Sequence, residues 1–271
     1  MKVLRMLRQP VAALSVGLML VLTMAGCASG PKDESANWPP EKLYSEAKQE
    51  AAAGSYDKAA KLYERLEGRA AGTVLAEQAQ IERAYMLYKS GEKAQALAAI
   101  ERFIKLHPTS PALDYGIYLQ GVINFNDDLG ILGNLSRQDL SERDQQAARD
   151  SYQSFRQLVD QFPNSTYAPD ARLRMSYIVN TLASYEVHVA RYYFRRGAYL
   201  AAANRAQQTL QEFQQSPSAE EALFIMAQSY EKLGLNDLRD DAQRVLRKNF
   251  PDSNLKVVGG AIKPKPWWQL W

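Results

Sequence analysis

The feature that most constrains the fold is a glycine followed 17 positions later by a proline. Gly91 and Pro108 bracket one such segment, and Gly234 and Pro251 bracket another. Glycine permits the tight turn between two paired helices, whereas proline cannot continue a helix and therefore stops the second one. This punctuation is typical of tetratricopeptide repeats, in which helix pairs stack on their neighbours into a superhelix.

The ends of the second helices carry a related signature, LHPTS, QFPNS, QQSPS and NFPDS, with prolines at 108, 163, 217 and 251. The last interval is 34 residues, a tetratricopeptide period, and the intervals of 55 and 54 leave room for an extra helix and loop. We predict five helix pairs, at about 41–70, 74–108, 112–163, 167–216 and 218–251, with an insertion at 127–146. An irregular helical bundle is the alternative.

Composition and periodicity predict that residues 41–254 are all-α. This range is rich in Ala, Leu, Gln, Glu, Arg and Tyr, which favour helix, and we find no convincing strand in it. Apolar residues recur at three- and four-residue steps on one face of a helix, as at Ala59, Leu62, Tyr63 and Leu66 and again at Ala96, Ile100 and Phe103. The predicted fold class is therefore an all-α tetratricopeptide superhelix.

The amino terminus has the layout of a secretory signal peptide. Lys2, Arg5 and Arg8 precede the apolar run 11–25, which is short for a membrane-spanning helix. The run ends at Cys27, the only cysteine, which cannot form an internal disulfide. An uncleaved membrane anchor is the alternative interpretation.

The stretch LVLTMAGCASG resembles a bacterial lipobox, in which a signal peptidase cuts before a cysteine that carries diacylglycerol. Met24 stands where Leu is usual, and Ala28 rather than Asp follows the cysteine, which implies export to the outer membrane. The resemblance predicts a signal peptide over 1–26 and lipidation of Cys27. Residues 27–40 are small, polar and interrupted by proline, and we expect a flexible tether there.

Charge argues against nucleic acid as a partner. The chain has 33 Lys plus Arg against 30 Asp plus Glu, and loss of the three cations of the signal peptide leaves 30 against 30. A formally neutral mature protein has no basic excess with which to release counterions from nucleic acid.

No motif indicates catalysis. The chain has no GxGxxG, GxxxxGK[ST] or HExxH and no cysteine pair. Its two histidines are His107, which precedes a proline at a helix end, and His188, expected to pack on a helix. We therefore expect no enzymatic activity, no cofactor and no metal site.

Residues 183–206, ASYEVHVARYYFRRGAYLAAANRA, combine aromatic side chains with arginines, a composition that suits protein interfaces. Most of the aromatics should fill the space between helices. Arg205 follows Asn204 on a helix otherwise lined with Ala, so we expect it to project towards a partner.

Three stretches, AIERFIKLHPTSPALDYGIYLQG, FPNSTYAPDARLRM and YEVHVARYYFRRGAYLAAANRA, resemble in this order the BamD (ComL) family. These are tetratricopeptide lipoproteins of the outer-membrane β-barrel assembly machinery. The resemblance runs from about Glu41 to Asn254 and departs from the family at GRAAGTVLAEQAQ, from Gly68, where the family commonly has Arg-Tyr-Pro-Phe-Gly. A tetratricopeptide lipoprotein adaptor for cell-wall enzymes is the alternative.

The resemblance implies a scaffold on the periplasmic face of the outer membrane. It would dock to the periplasmic domains of the barrel subunit, contact other assembly lipoproteins, help to recognise unfolded outer-membrane proteins, and reach the membrane through lipid on Cys27. It implies that Arg205 contacts the last periplasmic domain of the barrel subunit. The predicted partner-binding residues are Arg205, Arg196, Tyr185 and Glu186.

The tail, residues 255–271, ends in AIKPKPWWQLW and is predicted to be a docking element rather than a sixth repeat. Trp267, Trp268 and Trp271 would be adhesive if exposed. We expect them to be buried in the protein's own groove, on a partner or at the membrane interface. A tail of no consequence is the alternative.

Overall fold

A computed structural model describes residues 34–125, 145–258 and 261–264. Cys27, most of the 127–146 insertion and the three tail tryptophans lie outside these described residues.

The described residues form ten α-helices, which pair in chain order into five antiparallel hairpins. The pairs are α1 (Pro40–Ala52) and α2 (Tyr56–Arg69), α3 (Val74–Lys89) and α4 (Lys93–Leu106), α5 (Leu113–Asn124) and α6 (Gln145–Gln161), α7 (Ala168–Arg195) and α8 (Tyr199–Glu212), and α9 (Ala219–Leu233) and α10 (Asn236–Asn249). A 3₁₀ turn at Glu34–Asn37 precedes them, and two short strands, β1 (Leu255–Val258) and β2 (Ala261–Pro264), follow.

Each helix packs against the next along the chain, which produces a stack of helix pairs. The first helices of successive pairs also contact each other directly, α3 with α5 and α7 with α9. Because first helices approach one another across the repeats, they lie on one side of the stack, called here the inner side. The predicted tetratricopeptide class is confirmed.

Four of the turns within pairs use a glycine in the left-handed region. Gly54, Gly91, Gly197 and Gly234 have φ between 72° and 87°, and the second helix begins two residues after each. A Cβ at these positions would meet no heavy atom within 4 Å, so the backbone angle rather than crowding requires glycine.

The turns after the second helices of the last four pairs share a serine. The carbonyl of the residue directly after each helix accepts a hydrogen bond from the backbone N–H of that serine, three positions later, at Ser110, Ser165, Ser216 and Ser253. Proline follows the helix-end residue in three of these turns, but Gln214 occupies that position in the fourth, and Pro217 follows its serine. The prediction that grouped Pro217 with the other three prolines is therefore wrong by three positions. The backbone turn does not need a proline.

The core consists of small and medium apolar side chains in three clusters along the stack. The predicted face of α4 is confirmed, because Ala96, Ile100 and Phe103 are all fully buried. Helices α5 and α6 approach each other closely at Gly121, which has no side chain to separate them. A Cβ on Gly121 would lie 2.6 Å from Cε1 of Phe155 on α6.

Packing begins before Glu41, inside the segment predicted to be a tether. Trp38 is partly buried against the first cluster, and Lys42 Nζ lies 4.2 Å from its ring centroid. Arg69 donates hydrogen bonds to the carbonyls of Ala36 and Trp38. The bulky indole and this arginine fix a segment whose composition alone suggested no structure.

The turn between the first and second repeats is the place where the sequence departs from the family. A glycine and a threonine form this turn. Gly72 has φ +81°, and the Thr73 hydroxyl accepts a hydrogen bond from the Ala76 N–H at the start of α3. Ala70 is buried beneath the turn.

The tail contains an antiparallel hairpin that the sequence analysis did not anticipate. Strands β1 and β2 pair with Leu255 opposite Pro264 and Val258 opposite Ala261. Val257 packs against the third core cluster, and β2 contacts α7. The Gly259–Gly260 pair between two apolar runs was the signal, since such a pair typically joins hairpin strands.

Candidate partner-binding site

The predicted partner-binding residues lie on α7 and on the turn and helix that follow it. Glu186 is buried on α7 with only 3% of its surface exposed, and Arg205 reaches it from α8. Arg205 Nη1 donates a hydrogen bond of 2.9 Å to Glu186 Oε2. The arginine side chain is 40% exposed and that of the glutamate 4%. Because Arg205 pairs with a buried carboxylate, its guanidinium does not project freely into solvent.

The other two predicted residues are not brought to this ion pair. Tyr185 is half-buried on α7 beside Glu186. Arg196 follows α7, ten residues from Glu186 and so about 15 Å along the helix axis. Its Nε donates to the Tyr192 hydroxyl at 3.2 Å, and its guanidinium lies 5.5 Å from the Tyr192 ring centroid.

A second ion pair joins the last two repeats on the inner side. Arg191 on α7 donates through Nε and Nη2 to the two carboxylate oxygens of Glu221 on α9, each at 2.7 Å. Such a two-point contact fixes the orientation of both side chains. It holds the surface that carries Glu186 and Arg205 against the fifth repeat.

Sequence reasoning missed a polar network between α5 and α7. The Tyr118 hydroxyl and Arg174 Nε donate to Asp170 Oδ2 at 2.7 Å and 2.6 Å. Burial works to raise the pKa of Asp170, but the hydrogen bonds from Arg174 and Tyr118 outweigh it and hold that pKa below its usual value. Arg174 also lies 4.7 Å from the Phe125 ring centroid. The four-residue spacing of Asp170 and Arg174 was the sequence signal from which their ion pair could have been predicted.

The inner side of the first repeats carries a half-buried acid, Glu82 on α3. Burial raises its pKa, and the nearby Lys48 on α1 opposes this shift only in part. Burial, with the charge of Glu82 as a smaller cause, raises the pKa of Tyr115 to about 12. The half-buried carboxylate of Glu82 thus lies close enough to Tyr115 for its charge to act on that hydroxyl.

The described residues contain no group of three or more His, Cys, Asp or Glu side chains arranged to hold a metal ion. His107 directly follows the last residue of α4, in agreement with its prediction as a helix-end residue, and its Nε2 lies 3.1 Å from Gln80 Oε1. Within the same residues no helix is both long and apolar enough to cross a bilayer.

Helix pairs that stack in chain order and are joined by ion pairs between helices define a class of protein, the helical-repeat scaffolds, which bind partners on their surfaces. Comparison with known proteins places the chain within it. Residues 36–246 match the YfiO family, described as "Outer membrane lipoprotein". This protein belongs to that family.

Curated relatives extend the similarity over nearly the whole chain. The Outer membrane protein assembly factor BamD of Neisseria meningitidis serogroup A is 46% identical over 93% of this chain and 96% of its own. The protein of the same name from Xylella fastidiosa strain Temecula1 is 36% identical over 90% of this chain and 83% of its own. Among solved structures, that of MamA covers 81% of this chain and 97% of its own, at 13% identity and a TM-score of 0.36.

Proposed function

We propose that this protein is an outer-membrane lipoprotein scaffold that takes part in the assembly of outer-membrane proteins. The observation that carries the proposal is its identity of 46%, along nearly the full length of both chains, to a relative named for that role. A non-catalytic role agrees with a stack of helix pairs, whose surfaces serve binding. Nothing observed favours the adaptor for cell-wall enzymes.

The proposal includes lipid anchoring at Cys27, on the periplasmic face of the outer membrane. The lipobox-like stretch, the basic start and the use of a single cysteine support it. Two or more acyl chains give a stable anchor, whereas one chain binds marginally.

It also includes docking to the periplasmic domains of the barrel subunit through Arg205. In the described part of the chain only Nη1 of this arginine makes a hydrogen bond, which leaves the donors on Nε and Nη2 for an external carboxylate. Glu186 holds the guanidinium in one orientation, which reduces the entropy lost on binding. Tyr185 and Arg196 would lie at the margins of this contact, and other assembly lipoproteins and unfolded outer-membrane proteins are the further partners.

Binding to the purified periplasmic domains of the barrel subunit tests the proposal. Arg205→Ala alone leaves Glu186 buried without its partner, so the informative variant is Arg205→Ala with Glu186→Gln. This double variant should melt near the wild-type temperature yet bind roughly 30-fold more weakly or worse, as expected for loss of a charged contact.

Arg244→Ala is the matched control, because that arginine is 71% exposed and pairs only locally with Asp241. It should bind as the wild type does. Wild-type affinity in the double variant would rule out the Arg205 contact, and failure of the wild-type protein to bind these domains would contradict the docking proposal as a whole.

A further inference from the structure

The fifth helix pair carries an exposed apolar surface. Ten large apolar side chains are exposed among the described residues, and four of them lie between positions 233 and 245. These are Leu233 at the end of α9, Leu235 in the turn, and Leu238 and Val245 on α10, each 39–47% exposed. Leu238 and Val245 are two helical turns apart and therefore share one face of α10. The four side chains are called here the terminal patch.

Earlier helix pairs have polar side chains at the positions of the terminal patch. When the turn glycines Gly91 and Gly234 are aligned, the second pair has four polar residues there, Ser90, Glu92, Gln95 and Arg102. When Gly54 is aligned in the same way, the first pair has Ser55, Lys58 and Arg65 at the last three of these positions. A second helix of this fold therefore does not need apolar residues at these positions.

The terminal patch is not the side on which a further helix pair would stack. On α4 that side carries Leu97 and Glu101, which line the cleft that α4 shares with α5 and α6. The same alignment places Asp240 and Arg244 there on α10, with side chains 61% and 71% exposed. Polar outer faces are usual for terminal repeats, which must remain soluble. A second copy that continued the stack would therefore bury charges and leave the terminal patch exposed.

The last seven residues of the chain, 265–271, begin within reach of the terminal patch. Strand β2 ends at Pro264, which pairs with Leu255, six positions after the end of α10. Seven residues span about 23 Å when they are extended. Val245 and Leu238 lie about 6 Å and about 17 Å back along α10 from its last residue. The segment is therefore long enough to run along α10 and contact both side chains.

The sequence of this segment, KPWWQLW, suits an apolar surface. It contains three tryptophans and a leucine, and one tryptophan buries roughly 150–250 Å² when it packs. A segment joined to its binding surface by a short linker has an effective concentration on the order of millimolar. The patch is therefore offered an apolar partner from its own chain at a higher concentration than most separate proteins reach.

We propose that residues 265–271 fold back along α10 and cover the terminal patch with their indole rings. Removal of apolar area from water on both surfaces drives this contact. Of the places expected for the tail tryptophans, the inference selects the protein's own surface, and it assigns them to α10 rather than to a groove on the inner side. It rests neither on the assembly role nor on Arg205.

The test follows the tail tryptophans in the full mature chain, residues 27–271, with Cys27→Ala so that neither lipid nor detergent is present. Trp38→Phe completes this parent chain and leaves the three tail indoles as the only tryptophans. The patch variant adds Leu238→Gln and Val245→Arg, the residues that the second pair has at these positions. Leu106→Gln is the matched control, because that leucine is 58% exposed at the end of α4.

Acrylamide should quench the emission of the parent chain at least about twofold less than that of the free peptide KPWWQLW, because an indole that packs on the protein offers one face to the quencher. The patch variant should be quenched like the peptide, and Leu106→Gln like the parent. Deletion of 265–271 should lower the urea midpoint of the parent but not that of the patch variant, because the two changes remove the same contact. Thermal unfolding checks that each variant is folded.

Peptide-like quenching of the parent chain would overturn the inference. Equal protection in the parent and the patch variant would overturn it as well, since the indoles would then pack elsewhere on the protein. Protection that grows with protein concentration would identify a second copy as the occupant. Protection that appears only with phosphatidylglycerol vesicles would identify the membrane. Either result would contradict the inference without bearing on the Arg205 contact, which is measured with the barrel subunit's domains.

Discussion

Arg205 and Glu186 form an ion pair between α8 and α7, with 2.9 Å between Nη1 and Oε2, and the glutamate side chain is 4% exposed. Removing the arginine leaves a buried carboxylate uncompensated. Arg205→Ala should therefore lower the free energy of unfolding by roughly 2–4 kcal/mol, less than for a fully buried pair because the arginine is 40% exposed. Urea unfolding measures this loss.

Glu186→Gln in the same chain is the control, since it removes the buried charge. The double variant should recover most of the lost stability. If Arg205→Ala unfolds at the wild-type urea concentration, the ion pair does not stabilise the fold.

This pair illustrates what the sequence could not predict. The two residues are 19 positions apart on different helices, and their contact depends on how α7 and α8 cross. By contrast, the burial of Ile100 and Phe103 followed from helical periodicity, because every third or fourth residue faces the neighbouring helix. The hairpin was missed because Gly259–Gly260 lies in a segment dominated by proline and tryptophan.

The turns also include some that the sequence predicted and one that it did not. Gly197 and Gly234 marked their turns because the backbone there needs positive φ, which a side chain disfavours. Pro217 misled because the turn is closed by a backbone N–H that any residue except proline can donate, here that of Ser216, and Gln214 occupies the position that proline has in three related turns.

Gly121 should not tolerate a methyl group. In Gly121→Ala the Cβ would lie 2.6 Å from Phe155 Cε1 and 2.7 Å from Cδ1, so a fully buried ring must move. We expect a loss of about 1–3 kcal/mol in the free energy of unfolding, as for other overpacked cores. Chemical denaturation provides the measurement.

Gly68→Ala is its matched control, because that helical glycine has nothing within 4 Å of the added Cβ and no positive φ. It should gain about 0.4–1 kcal/mol. A neutral Gly121→Ala would show that α5 and α6 can separate without cost.

The hydrogen bonds to Asp170 should make the free energy of unfolding depend on pH in the acidic range. Because the folded-state pKa of Asp170 lies below its unfolded value of 3.8, its contribution is present above that value and is lost as pH falls through the folded pKa. The difference in unfolding free energy between wild type and Asp170→Asn should therefore be smaller at about pH 3 than at about pH 6, with the decrease beginning only as the pH approaches the unfolded value of 3.8. Denaturation at several pH values measures it.

Asp241→Asn controls for a general effect of lost carboxylates, since that side chain is 60% exposed. It should alter stability little at either pH. A difference between wild type and Asp170→Asn that stays constant with pH would refute the network's role.

Cys27 should be the first residue of the mature protein and carry its lipid. Cys27→Ala should leave uncleaved precursor or release soluble protein, because no other cysteine can accept diacylglycerol. Membrane fractionation and the intact mass of the purified protein measure both outcomes. Met24→Leu, which restores the usual lipobox residue, should be processed and retained normally, and unchanged processing of Cys27→Ala would exclude lipidation.

The most direct test of the assembly role is affinity purification of the tagged full-length protein from detergent-solubilised outer membrane, with its partners identified by mass. The barrel subunit of the assembly machinery and its accessory lipoproteins should co-purify. Recovery of cell-wall enzymes without the barrel subunit would contradict the assembly role and favour the adaptor instead.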